Sequence, residues 1–227
     1  MGQSDPNLPM KYEQFRTSRG LLWENRHPVT IVVHNHLKYY TNVVSERARS
    51  SERQLKYLKE THSLLEAARV PHWLAGGWAI DFLVGRVTRQ HSDVDFAIWK
   101  EDWERVEALL LAHEFTLRAN EFPEETGRLV HKGTNFEFYL LQKNADRDIF
   151  VGGRWANWSF PDDCWNQTGC LQGLLVPVMS PKNLLDGKQR WPDQEQGSPL
   201  RKKDQQDIDI LRSYLARDTQ PKANPRI

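Results

Sequence analysis

Between positions 45 and 68, apolar residues recur at Leu55, Leu58, Leu64, Leu65 and Ala68 among many charges. That spacing predicts one amphipathic helix, ended by Pro71. His72 to Ala75 reads as a short strand running into Gly76-Gly77, and Trp78 to Val84 as a helix stopped by Gly85. At Asp93 the period changes to two: Asp93–Trp99, DVDFAIW, predicts a strand. A helix follows over Trp103–His113, with Val106, Leu109 and Leu110 at core spacing. Strands at Phe115–Arg118 and Arg128–His131 flank an acidic loop, Glu121–Glu125.

Asn135–Leu141, NFEFYLL, is a strong strand pattern. It puts Phe136, Phe138 and Leu140 on one face and Asn135, Glu137, Tyr139 and Leu141 on the other. After a stretch rich in Gly, Trp and Pro up to Gly169, a strand is expected at Leu174–Val178. Ser180-Pro181 opens a helix in cap-then-proline style. A last helix spans about Lys202–Ala216, striped by Ile208, Leu211 and Leu215. This order implies an α+β fold, a mixed sheet flanked by helices with further helices at its C-terminal end.

At 227 residues the chain is long enough for one substantial domain. The expected division is a poorly ordered or loosely docked leader over 1–44, a core over 45–150, and a C-terminal extension over 151–227 with a strand and helices. Within the leader, Ile31-Val32-Val33 suits a short strand, and His34 and His36 behind it are spaced to chelate a metal, with no further ligands nearby in sequence.

Charge narrows the partners. Thirty-one Lys and Arg against thirty Asp and Glu leave a net +1, so no basic field marks the chain for nucleic acid or an anionic membrane. No apolar run approaches the roughly 20 residues of a membrane span. The first residues lack the basic start and apolar core of a secretory signal, so a cytoplasmic protein is expected, with Cys164 and Cys170 as reduced thiols. No exposed apolar stripe decides the oligomeric state.

The chemistry concentrates at Asp93 and Asp95. Residues two apart on a strand point the same way, so the two carboxylates project toward one point at the start of an apolar strand. Two such anions side by side require a countercharge, which a divalent cation supplies. Glu137, between two phenylalanines, is suited to be a third carboxylate from a neighbouring strand; solvent exposure at a sheet edge is its other reading.

These residues carry a resemblance. Leu74–Asp81, LAGGWAID, followed by Gly85–Ile98, GRVTRQHSDVDFAI, resembles the nucleotidyltransferase superfamily, closest to its aminoglycoside 2''-nucleotidyltransferase and lincosamide nucleotidyltransferase branch. The likeness is strong over Trp73–Ile98 and persists more weakly over about 50–215. It implies that Asp93, Asp95 and Glu137 ligate two Mg²⁺ ions and form the catalytic centre, with Glu137 as ligand or as base toward the acceptor hydroxyl. It implies that Gly76 and Gly77 form the turn whose amides approach a triphosphate, that Arg89, His91 and Ser92 contact phosphate, and that Lys203 faces the nucleotide. A departure is Gly76-Gly77 itself, where many superfamily members have Gly-Ser; the antibiotic-modifying relatives share Gly-Gly.

The implied function is transfer of a nucleoside monophosphate, AMP from ATP or another NTP, to a hydroxyl of a small molecule such as an aminoglycoside or lincosamide. The alternatives are transfer to a protein or tRNA acceptor, and a catalytically idle nucleotide-binding module. Asp81 is expected to brace the loop through Arg86 or Arg89 rather than touch substrate. Glu121, Glu124, Glu125, Asp146, Asp148, Asp162 and Asp163 either form an anionic cleft for a polycationic acceptor or are solvated surface. Trp155 and Trp158 either pack or stack on an acceptor ring.

Overall fold

The structure is a computed structural model describing residues 49–146, 148–194 and 199–218, all within one compact unit, 43–227. The leader, the Ile31–Val33 strand and the His34/His36 pair lie outside the described residues. Helix α1 runs through residues 49–67 and buries the stripe Leu55, Leu58, His62 and Leu65 at three- and four-residue intervals. Strand β1 (His72–Leu74) leads into α2 (Gly76–Val84), which Gly85 ends in the left-handed conformation with its amide donating to Asp81 O. Strand β2 (Asp93–Trp99) and helix α3 (Trp103–Leu111) follow. Then come β3 (Thr116–Leu117), β4 (Thr126–His131), β5 (Thr134–Lys143), β6 (Ile149–Val151) and β7 (Ser159–Phe160). Strands β8 (Gln167–Leu171) and β9 (Leu174–Val178) precede α4 (Pro181–Gln194) and α5 (Lys202–Asp218).

All the strands join one mixed sheet in the order β3-β4-β5-β2-β1-β9-β8, with β6 on β5 and β7 on β6. Among the described residues only β2–β5 and β1–β9 are parallel. Residue 150 therefore does not separate a core from an extension: β6 straddles it, and β9 and β8 extend the sheet from β1. Strands β6, β7 and β8 were hidden in the Gly/Trp/Pro-rich stretch, because two- to five-residue strands show too little alternation to register.

The β4–β5 hairpin turns through Lys132 and Gly133, both at positive φ, and this two-residue turn pairs His131 with Thr134. Counting back sets Arg128 opposite Glu137. On the far side of β5 the parallel register pairs Asp93 with Asn135 and Asp95 with Glu137. One face of the central strands carries Val94, Phe96, Ile98, Phe136, Phe138 and Leu140, all nearly or fully buried. Phe96 stacks on Phe138, and Trp103 of α3 packs against the same ring. The opposite face carries Asp93, Asp95, Ala97, Glu137, Tyr139 and Leu141. The alternation that builds the core on one side thus sets three acids on the other.

Candidate active site

The acid-bearing face forms the floor of a cavity. One oxygen from each of Asp93, Asp95 and Glu137 lies within 4.8 Å of the other two, a donor set that suits a hard divalent cation. Burial, and then the charges of Asp93 and Glu137, hold the Asp95 carboxyl well above the ordinary carboxylate range. The same environment, burial first, raises the Tyr139 phenol, so it stays neutral. Three acids crowded this way fit a bound cation, which would relieve their mutual repulsion. Arg128 supplies part of the countercharge, with Nε and Nη2 both donating to Glu137 Oε1 at 3.2 and 2.9 Å. Arg128 escaped the sequence reading, although the Lys132-Gly133 turn carried the register that places it there.

Gly76 and Gly77 do not form a free turn; they are the first residues of α2. Ala75 gives no side-chain cap, so the first-turn amides have no intrahelical partner, and the helix dipole makes this end attractive to anions. Gly76 sits at φ +59°, and a Cβ there would fall 1.9 Å from Asp95 Oδ2. A Cβ on Gly77 would fall 2.3 Å from His91 Nδ1 and 2.7 Å from Arg89 Nη2. Both glycines are thus required by the protein's own side chains, before any ligand is considered. Gly76→Ala is expected to lose about 1–2 kcal/mol from the left-handed backbone alone, plus the displacement of Asp95. Denaturant unfolding checks the first effect, and weaker divalent-cation binding by a folded variant than by the wild type checks the second.

The loop after α2 is held from beneath. Asp81, fully buried, accepts from the Thr88 amide at 3.0 Å, the Thr88 hydroxyl at 2.5 Å and His91 Nε2 at 2.6 Å. It does brace the loop, but through Thr88 and His91 rather than Arg86 or Arg89. His91 is itself buried, between Asp81, the Trp78 ring and Gly77, and does not line the cavity. Its position is that of a prop behind the glycines, not of a phosphate contact. Ser92 is exposed, and its hydroxyl donates to Asp93 Oδ1 at 3.1 Å; it too is absent from the cavity wall.

Arg89 does line the cavity, but its guanidinium is engaged bidentately by Asp207, Nε to Oδ1 at 2.8 Å and Nη2 to Oδ2 at 2.7 Å. Asp207 and its neighbour Asp204, one turn earlier on α5, also hold Lys188 of α4 at 3.0 Å each. Asp204 pairs with Arg201 as well. Two fully buried carboxylates thereby fix Arg89, Lys188 and Arg201 along one side of the cavity. Lys203 completes this wall, its ammonium lowered from the ordinary lysine range by burial and by Arg201. Lys188, Arg201, Asp204 and Asp207 were not singled out from sequence, since only the packing of α4 on α5 makes them neighbours of residue 89.

Farther along the strands the lining turns aromatic. Tyr139, Trp155, Trp158, Phe160 and Trp165 surround Ala97, Leu141 and Val151. Trp155 and Trp158 sit 5.6 Å apart, and Trp158 packs over Gly187, where α4 has no side chain. The proposed anionic cleft does not form. Glu125 is buried on Arg154 and the Trp155 indole, Glu124 pairs with Lys100, and Asp148 with Asn144. Glu121, Asp146, Asp162 and Asp163 are exposed away from the cavity. Cys164 and Cys170 are free, with burial pushing the Cys164 thiol up to about 12. No helix among the described residues is long and apolar enough to cross a membrane.

A mixed sheet carrying two aspartates on one strand and a glutamate on its neighbour, with a glycine-led helix beside them, is the nucleotidyltransferase fold. Over residues 57–211 the chain matches the sequence profile of aminoglycoside-2''-adenylyltransferase, and it belongs to that family of nucleotidyltransferases. A 2''-aminoglycoside nucleotidyltransferase of Escherichia coli is 44% identical over 52 residues, 22% of this chain and 29% of that protein's length. The fold is shared with the lincomycin-bound lincosamide antibiotic adenylyltransferase LnuA, at a TM-score of 0.56 and 24% identity, covering 72% of this chain and 97% of that one. It is shared too with ANT(2'')-Ia in complex with adenylyl-2''-tobramycin, at a TM-score of 0.60 and 17% identity, covering 73% and 91%.

Proposed function

We propose that this chain is a Mg²⁺-dependent adenylyltransferase that moves AMP from ATP to a hydroxyl of a small molecule, an aminoglycoside or lincosamide antibiotic. The observation that carries the reading is one cavity in which Asp93, Asp95 and Glu137 face a wall of Arg89, Lys188, Arg201 and Lys203. Three clustered anions opposite four cations, three of which share Asp204 and Asp207, suit a metal-bound polyphosphate. When bound, Mg²⁺ held by Asp93, Asp95 and Glu137 supplies positive charge to the triphosphate and to the acceptor oxygen.

The chain's own groups do the rest. The first-turn amides of α2 and the cationic wall take up phosphate charge, and Asp204 and Asp207 hold that wall rigid before substrate arrives. Arg128 occupies Oε1 of Glu137, and the other oxygen is assigned to receive the acceptor hydroxyl's proton. The hydroxyl oxygen then bonds to the α-phosphorus as the bond to pyrophosphate breaks. Positioning and charge stabilisation account for most of the acceleration in such transfers. The tryptophans at the far end offer π faces to a substrate ring. Pyrophosphate release, measured with each NTP against aminoglycosides, lincosamides, tRNA and a cell lysate, tests the proposal. Release that needs Mg²⁺, ATP and an antibiotic is expected; release with tRNA or lysate alone would move the acceptor elsewhere, and none under any condition would end the enzyme reading.

A further inference from the structure

On the sheet face opposite the cavity, two histidines and a glutamate converge. His62 and Glu66 stand one turn apart on α1 and so share a side of the helix, and His72 opens β1. His72 lies opposite Ile98, with its ring against Phe96, on the face that Asp93 and Asp95 point away from. His62 Nδ1 is 2.7 Å from His72 Nε2, and Glu66 Oε1 is 3.9 Å from that same nitrogen. One ligand atom from each residue lies within 4.8 Å of the other two.

The tautomers follow from the neighbours. His72 Nδ1 sits 2.7 Å from the Val70 carbonyl oxygen, which can only accept, so the ring proton is at Nδ1 and the lone pair at Nε2. Burial lowers both histidines from the ordinary imidazole range, which keeps them neutral near pH 7. A proton on His62 Nδ1, donated to that lone pair, satisfies the two rings, while the Glu66 carboxylate stands 3.9 Å from the same nitrogen. A cation in place of that proton would meet one donor atom from all three residues. A ligating imidazole whose other N–H donates to a backbone carbonyl is the usual outer-shell arrangement of a metal site. The Glu66 side chain is 60% exposed while the His72 side chain is 1% exposed, so the site has a dry base and an open entry.

We propose that His62, Glu66 and His72 bind a transition-metal cation, Zn²⁺ being the best match to a donor set of two imidazoles and one carboxylate. Such a set favours Zn²⁺ or Co²⁺ over Mg²⁺, the reverse of the all-oxygen cluster in the cavity. Binding replaces the hydrogen bond between the rings and moves their nitrogens apart to about 3.3 Å, the span of two Zn–N bonds. The ion then ties the last turn of α1 to β1. That connection matters because α1 also reaches the loop below the glycines, where Gln54 donates to His91 O and accepts from the Trp78 indole.

The test is a Co²⁺ titration of the full chain in excess Mg²⁺, followed by visible d–d absorption, with Zn²⁺ as competitor. The wild type is expected to take up Co²⁺ and release it to Zn²⁺, with a rise in Tm. His72→Gln should lose one equivalent, Glu66→Gln should bind at least tenfold more weakly, and Asp95→Asn should bind as the wild type does. Because Glu66 is exposed, its variant decides the matter even where His72→Gln does not fold. No Co²⁺ uptake, undiminished uptake in a folded Glu66→Gln, or loss in Asp95→Asn would each overturn the proposal.

Discussion

Asp95→Asn is expected to slow nucleotidyl transfer on the order of 10³-fold while leaving the protein as stable as the wild type or slightly more so. The two effects have one origin. Asp95 lies within reach of Asp93 and Glu137, and in the metal-free protein burial and those two charges make its ionised form unfavourable. A neutral amide of the same shape removes that repulsion, so unfolding in the absence of metal should not become easier. The same substitution removes an anionic ligand from the cluster assigned to Mg²⁺. Charge stabilisation by a catalytic metal amounts to several kcal/mol, and at about 1.4 kcal/mol per decade the rate should fall on the order of 10³-fold. Pyrophosphate release and a thermal melt on one preparation check both. Undiminished turnover in the folded variant would remove the carboxylate cluster from the mechanism, and a large loss of stability would mean that Asp95 is chiefly a structural group.

The second large effect is expected from Asp207→Ala. Asp207 is fully buried and takes Arg89 and Lys188 together, so its removal strips Arg89 of its bidentate partner in a poorly solvated place and leaves Lys188 to Asp204 alone. Breaking a buried pair from one side typically costs about 3–5 kcal/mol, and a comparable loss is expected here. Activity should fall as well, because Arg89 would no longer be held against the cavity and Lys188 would be held from one side only. The loss depends on pH in a defined direction. Burial pushes the Asp207 carboxyl up, but the hydrogen bond from Arg89 and the charges of Lys188 and Arg89 together hold it below its ordinary value. Its stabilisation is therefore fully present above the unfolded value of about 4 and disappears as pH falls through the lower folded value. Urea unfolding at pH 7 and again below pH 4 should show a large gap between wild type and variant in the first case and a narrowing gap in the second. A gap that does not change with pH would mean that lost packing, not lost charge pairing, causes the destabilisation.

Much of the site is written in local patterns. The period-two run at Asp93–Trp99 puts both aspartates on one face whatever the strand pairs with, and NFEFYLL does the same for Glu137. The glycine pair, the helix behind it and the Arg-x-His loop are local as well, which is why the family resemblance is densest there. What those residues do is less local. His91 reads as a substrate contact in a linear motif, yet the fold turns it inward to Asp81, and Gly77, which does line the cavity, is also the gap that admits its ring. Arg89 reads as a free phosphate grip, yet it is anchored by a residue 118 positions away. The acidic residues of the loops, counted along the chain, suggest a cleft that their scattered directions do not make.

From its own pattern, then, the chain determined the helices α1 to α5 and the strands β1 to β5 and β9, which face each acid takes, and the hairpin register that sets Arg128 beside Glu137. Those are matters of period, turn geometry and backbone conformation, decided within a few residues. The tertiary structure alone decided that β5 lies parallel to β2 with Glu137 level with Asp95. It alone decided that α4 and α5 bring Lys188, Asp204 and Asp207 to Arg89, and that His62 meets His72 behind the sheet. These depend on which distant surfaces bury against one another, and buried charges find their partners only once that packing exists.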